Sequence, residues 1–219
     1  MHAYRGLKSS LCAVALTALS ISSAQAAAVP GQGTWETTLQ ARDINGDSVV
    51  DAYYDTALDI TWLADWNVNG QKDWDTAKAW AAGLDVYGVT GWRLPSTVDD
   101  FSSLGGRPPV DSSEMAHMYY VTLENIGYPD AGYGLSNTAN FVSMQSDYYW
   151  SGTGSASDPR YAWYFNPWGG GQGVDDKRTV KYAVAVHFGD VAAVPEPQTV
   201  ALMLAGLAAL AVLRRRQPR

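Results

Sequence analysis

The chain has 219 residues and a formal net charge of −7. Between Ala27 and Gln198 the excess is larger, 22 acidic against 9 basic residues, because six of the fifteen basic residues lie in the two ends. A stretch with a net charge of −13 disfavours nucleic acid and anionic polysaccharide, which need clustered Lys and Arg, and the one cysteine, Cys12, excludes disulfide, thiol and cysteine–metal chemistry from the rest of the chain.

The N-terminus comes first in chain order. Arg5 and Lys8 precede an uncharged apolar run from Leu11 to Ile21, and Ala24-Gln25-Ala26 supplies small residues around a cleavage point. That order predicts a secretory signal peptide over residues 1–26, removed by signal peptidase. The run is too short to span ~30 Å of hydrocarbon. A buried N-terminal helix is the competing reading.

Residues 27–193 suit one domain of ordinary size. All nine tryptophans lie here and can build a core. Trp35 to Gln40 reads as a strand, and Asp43-Ile44-Asn45-Gly46-Asp47 as turn chemistry. Val49–Tyr54 and Ile60–Leu63 read as short strands joined by a turn. Trp74, Ala77, Trp80, Ala81 and Leu84 recur at helical spacing behind Asp73, a good N-cap, and predict a helix over 73–84. Ser96 with Asp99 is a weak capping signal for a short helix ending at Leu104. Met115, Met118, Tyr119, Thr122, Leu123 and Ile126 form one stripe of a third helix over 112–126, capped by Ser112 or Ser113. Tyr148–Thr153, Ala162–Asn166 and Tyr182–Phe188 read as strands. Trp168 to Asp176, with Gly169-Gly170-Gly171-Gln172-Gly173, reads as a flexible connection. It is no phosphate loop, since no Lys-Ser or Lys-Thr follows. The pattern predicts an α+β fold, with helices in the middle and a mainly antiparallel sheet drawn from both ends.

The C-terminal segment, 194–219, opens with Pro195-Glu196-Pro197. Thr199 to Leu213 is uncharged and almost wholly apolar, and Arg214-Arg215-Arg216 follows at once. As a helix the run is ~22 Å long, marginal for spanning, and the arginines would hold its end in the cytoplasm. This three-part order resembles a PEP-CTERM sorting signal. The resemblance implies a transient inner-membrane anchor, processing by an exosortase-type enzyme, and delivery to the cell surface or extracellular matrix. A permanent single-span anchor is the alternative.

Five segments in order, Ile60-Thr61-Trp62-Leu63, Gly91-Trp92-Arg93-Leu94-Pro95-Ser96, Gln145 to Thr153, Ala162-Trp163-Tyr164-Phe165 and Tyr182 to Val186 with Gly189-Asp190-Val191, together resemble the Lcl C-terminal domain family, a domain of unknown function. The likeness covers about residues 35–191. It implies a single C-type-lectin-like domain, related also to sulfatase-modifying factors, with a twisted antiparallel sheet, two or three helices and long loops. It supplies no catalytic residues. Cysteine chemistry is missing from the domain, and so are the Glu-Pro-Asn, Gln-Pro-Asp and Trp-Asn-Asp motifs of calcium-dependent lectins, so the fold resemblance licenses neither activity.

Three candidate sites emerge from residue chemistry. Asp43, Asn45, Asp47 and Asp51 offer oxygens at alternate positions for Ca²⁺, although Ser48 stands where such a loop needs Gly and Tyr54 where it needs Glu. An Asx-rich turn is the plainer reading. Among Trp66, Trp74, Tyr148, Tyr149, Trp163, Tyr164 and Trp168, flat rings can stack on sugars. Most belong in a core, which leaves Trp168 and Tyr164 as ligand candidates. Arg93 can hold a carboxylate with its planar fork, an internal ion pair being the simpler role. The two histidines of the domain, His117 and His187, lack zinc spacing. The expected function is therefore a non-enzymatic binding module at the cell surface or in the matrix, for exopolysaccharide or another envelope component, with no cofactor unless calcium. A glycan hydrolase using two of Asp73, Asp75, Asp99, Asp130 and Asp175 is the alternative, and an inert matrix protein is a third.

Overall fold

Thr34 decides how the domain begins. Its carbonyl accepts from Thr37 N and Thr38 N, and from the hydroxyls of both threonines. These local bonds wind Trp35–Thr38 into a single helical turn, α1, where a strand was expected. The ladder starts only at β1, Leu39–Arg42. In this computed structural model the described residues are 27–68, 70–191 and 207. The expected signal peptide lies outside them, as do Pro195, Glu196, Pro197, Arg214, Arg215 and Arg216. No helix among the described residues is long and apolar enough to cross a membrane.

Strand β2, Ala52–Asp55, follows the Asp-rich turn, and β3, Ile60–Leu63, follows a second turn. β1, β2 and β3 pair antiparallel in sequence order, and β7, Val186–Phe188, closes the sheet against β3. β4, Tyr149–Gly154, β5, Tyr161–Asn166, and β6, Gly171–Asp176, form a second antiparallel sheet. The fold is thus a small α+β domain with two antiparallel sheets. The expected strand Tyr182–Phe188 is shared between them. Tyr182 bridges β4 through Trp150 N, while Leu63 N reaches Ala185 O and Val186 joins β3. One apolar run stitches the sheets together, and only its last three residues keep the ladder.

β6 corrects the reading of the glycine stretch. Gly173 lies opposite Tyr164, and a Cβ there would sit 2.6 Å from the Tyr164 Oη. The glycines allow a close approach rather than a loose connection. Gln172 between them is buried, donating from Nε2 to Ser103 Oγ and accepting from Thr97 Oγ1.

Helix α2, Trp74–Ala82, is capped as expected, with Asp73 accepting from Thr76 N at 3.0 Å. Ser96 caps nothing. Its amide and carbonyl are both taken by Glu114, and residues 96–100 form no helix. Only a 3₁₀ turn, Phe101–Ser103, forms behind Asp100. The third helix is shorter than its stripe. Ser113 caps α3, Glu114–His117, which widens into a π turn, Met118–Thr122. It stops where Glu124 takes φ 52° and Thr34 N takes the Thr122 carbonyl.

Two apolar clusters fill the interior. One gathers Trp62, Trp66, Met115, Met118, Phe141 and Tyr149. Trp62 and Trp66 stack there, 5.3 Å apart and 11° from parallel. The other holds Trp74, Trp92, Trp150, Ile44 and the small residues Ala77 and Ala81 that let α2 approach. Truncating any such tryptophan costs ~3–5 kcal/mol.

Candidate functional site

Two loops meet at Trp168. The first is the β5–β6 connection. Asn166 Oδ1 accepts from Trp168 N, and the Asn166 carbonyl accepts from Gly169 N and Gly170 N, which folds the turn tightly. Gly170 is held at φ 72°, and a Cβ on it would collide with the Tyr120 ring. The second loop follows the π turn and is closed by Gly134 N donating to Ile126 O. Tyr128 N donates to Gly169 O at 2.9 Å, and Tyr120 Oη donates to Gly170 O at 2.9 Å. The loops are thereby fixed to one another.

This places three rings on one face. Tyr128, Tyr133 and Trp168 are 64%, 39% and 52% exposed. Tyr133 stands nearly perpendicular to both others, with centroids 5.2 Å from Tyr128 and 5.3 Å from Trp168. Tyr128 and Trp168 lie 19° from parallel at 6.3 Å. Beside the rings runs a cleft of about 380 Å³, lined by Arg107, Tyr120, Glu124, Ile126, Tyr128 and Asp130. Arg107 sits 3.9 Å over the Tyr120 ring, and burial raises the Tyr120 pKa. Exposed rings with polar groups at their edges suit half-wet contacts.

Tyr128 and Tyr133 escaped sequence reasoning. They lie in Gly127-Tyr128-Pro129-Asp130-Ala131-Gly132-Tyr133-Gly134. An aromatic set among turn residues, with no periodicity to give it a core face, was the available signal.

The other candidates go elsewhere. Tyr164 is half-buried and flanks Lys181, whose Nζ lies 4.7 Å from it, 5.0 Å from Tyr148 and 4.9 Å from Trp150. Lys181 is 6% exposed and pairs with Asp175 at 2.7 Å. The protein's own ammonium therefore lies over the Tyr164 ring. Arg93 gives Nη1 and Nη2 to Glu114 at 2.8 and 2.6 Å, and its guanidinium carbon lies 4.0 Å from the Phe188 ring centre. Its fork already holds a carboxylate, an internal one. Trp66, Trp74, Tyr149 and Trp163 are core residues.

In the Asp-rich loop the oxygens cap backbone. Asp43 accepts from Gly46 N, Asp47 N and Ser48 N. Asn45 Oδ1 accepts from Asp47 N, Asp47 from Val49 N, and Asp51 from Ile44 N. Among the described residues no group of three or more His, Cys, Asp or Glu side chains is gathered to hold a metal ion. The oxygens of Asp43, Asn45, Asp47 and Asp51, expected as calcium ligands, each accept from at least one backbone amide, which is the bonding of the Asx-turn reading. Three of the five carboxylates considered for hydrolysis are engaged separately. Asp73 caps α2, Asp99 accepts from Trp163 Nε1 at 2.6 Å and from Ala156 N, and Asp175 holds Lys181.

A family model for the Lcl C-terminal domain matches residues 51–187, and one for the PEP-CTERM protein-sorting motif matches residues 193–217. β1 lies outside the first match yet pairs with β2 inside it. No curated protein and no solved structure matches the chain.

Proposed function

The chain belongs to the Lcl C-terminal domain family and carries a PEP-CTERM sorting motif, and from that premise we propose that its domain binds a neutral polysaccharide of the cell surface or matrix. The motif makes the protein an exosortase substrate that is exported, held briefly at the membrane, and delivered to the surface or beyond. Signal peptidase would act first, at Ala26. The observation that carries the binding reading is the exposed set Tyr128, Tyr133 and Trp168 on two mutually fixed loops. Sugar rings present C–H faces that lie against aromatic faces, and Asp130 and Glu124 stand nearby to accept from hydroxyls. The net charge of −13 between Ala27 and Gln198 opposes polyanions by simple repulsion.

Magnitudes select a polymer over a single sugar. Three rings at ~1 kcal/mol each give about −3 kcal/mol, a contact of roughly 6 mM. Such a site becomes effective through repetition, many domains along one chain. The test is retention of the processed protein on immobilised neutral polysaccharides, including the producing cell's own. Trp168→Ala is expected to abolish retention while leaving the melting temperature within a few degrees. Equal retention of wild type and variant, or no retention on any neutral polymer, would overturn the reading.

A further inference from the structure

A second concavity lies away from the three rings, where the segments around Trp92 and around Gly152 meet. Gly152 N donates to Pro95 O at 2.7 Å, Thr153 Oγ1 donates to Thr97 O, and Thr153 Oγ1 accepts from Thr97 N. Arg93 exchanges both backbone bonds with Val186. A Cβ at Gly152 would press on the Leu94 carbonyl at 3.3 Å, so the bare residue lets the walls meet closely. The cleft they frame has a volume of about 340 Å³ and is walled by Ala82, Trp92, Leu94, Gly152 and Phe188. The walls are preformed by backbone bonds, so little ordering is needed on binding.

Its charges are uneven. Arg93 and Glu114 at one side neutralise each other in a bidentate pair. Lys78 remains at the rim. Among the described residues it forms no ion pair, and its ammonium lies 4.3 Å from the Trp74 ring centre. A mostly apolar cavity of this size with one cation at its mouth has the form of a small-molecule site. Phe188 is 67% exposed and carries the Arg93 guanidinium over one face of its ring.

We infer that this cleft binds a small amphiphilic carboxylate, its planar apolar body against Trp92, Leu94 and Phe188 and its carboxylate at Lys78. The site is independent of the polysaccharide contact. The probe is 2-naphthoate, titrated calorimetrically into the processed protein recovered from exporting cells, with the neutral isostere 2-naphthamide as its partner. Naphthoate is expected to bind at least tenfold more tightly than the amide. Lys78→Glu should remove this preference and Lys78→Arg keep it. Ala82→Phe, on an exposed position of α2, should fill the cleft and abolish binding without unfolding the protein. Trp168→Ala should leave naphthoate binding intact, and Ala82→Phe should leave polysaccharide retention intact, so the two readings fail separately. No naphthoate binding at millimolar concentration, equal affinity for the amide, or undiminished binding in Ala82→Phe would each overturn the proposal.

Discussion

Glu114 accepts from Arg93 Nη1 and Nη2 and from Ser96 N, and both ion-pair side chains are largely screened from water, 22% and 16% exposed. Removing it would leave a guanidinium half-buried without its counter-charge and the Ser96 amide without its acceptor. Glu114→Ala is expected to destabilise the domain by about 2–3 kcal/mol, read by urea unfolding with an unchanged m-value. A surface role for Arg93 instead predicts a loss below 0.5 kcal/mol. The residue types were legible beforehand, since an arginine in a Trp-Arg-Leu-Pro segment invites an ion pair. Its partner was not, because Glu114 lies 21 positions away and nothing local joins the two. Trp168 was legible as an exposed ring from its glycine neighbours, whereas Tyr128 and Tyr133 became its companions only when Gly169 O met Tyr128 N.

The Asp-rich turn and the glycine strand show how elements were read and misread. Turn chemistry at Asp43–Asp47 is local, because Asp and Asn bond amides two to five residues on, and it was visible in the sequence. Asp43→Ala removes three acceptor bonds and is expected to cost about 1–2 kcal/mol, while Ca²⁺ and EDTA give the same melting temperature. A calcium-dependent rise in the wild type that Asp43→Ala abolishes would contradict this. β6 was invisible, since Gly-Gln-Gly carries no strand propensity. What makes it a strand is β5 alongside and the bulk of Tyr164 over Gly173. Gly173→Ala must therefore displace the Tyr164 ring. A loss of about 1–3 kcal/mol in thermal or urea unfolding is expected, where a flexible connection would tolerate the methyl group.

At the scale of the molecule, acid is the relevant stress for a chain so rich in carboxylates. The hydrogen bond from Arg178 holds Asp176 well below the usual carboxylate range, and that from Arg160 lowers Asp158. The Thr76 amide lowers Asp73, and the Ser102 hydroxyl lowers Asp100. Groups depressed in the folded state contribute stability above their unfolded pKa, near 4, and lose it as pH falls through the folded value. Asp55 works the other way. Burial raises its pKa, so its contribution is complete below pH ~4 and is lost as pH rises through its folded value. The lowered groups, Asp175 among them, are expected to dominate, giving an unfolding free energy that declines below about pH 4. Asp176→Asn should flatten that decline, and because the pair is exposed, high salt should shrink the difference. A pH profile identical in wild type and variant would show the pair to be inert.

Targeting and fold were legible to different depths for one physical reason. A sorting signal is a linear order of charge, apolar length and small or rigid residues, so Pro195-Glu196-Pro197 and the arginines declare themselves without neighbours. The same holds for caps and turns, such as Asp73 before α2, whose bonds close within a few residues. Sheet membership, the division of Tyr182–Phe188 between two sheets, the shortening of the third helix and the gathering of Tyr128, Tyr133 and Trp168 depend on partners up to a hundred or more positions away. Long-range packing decides these, because a strand's ladder and a ring's exposure are properties of what lies opposite, and no local pattern of residues contains that information.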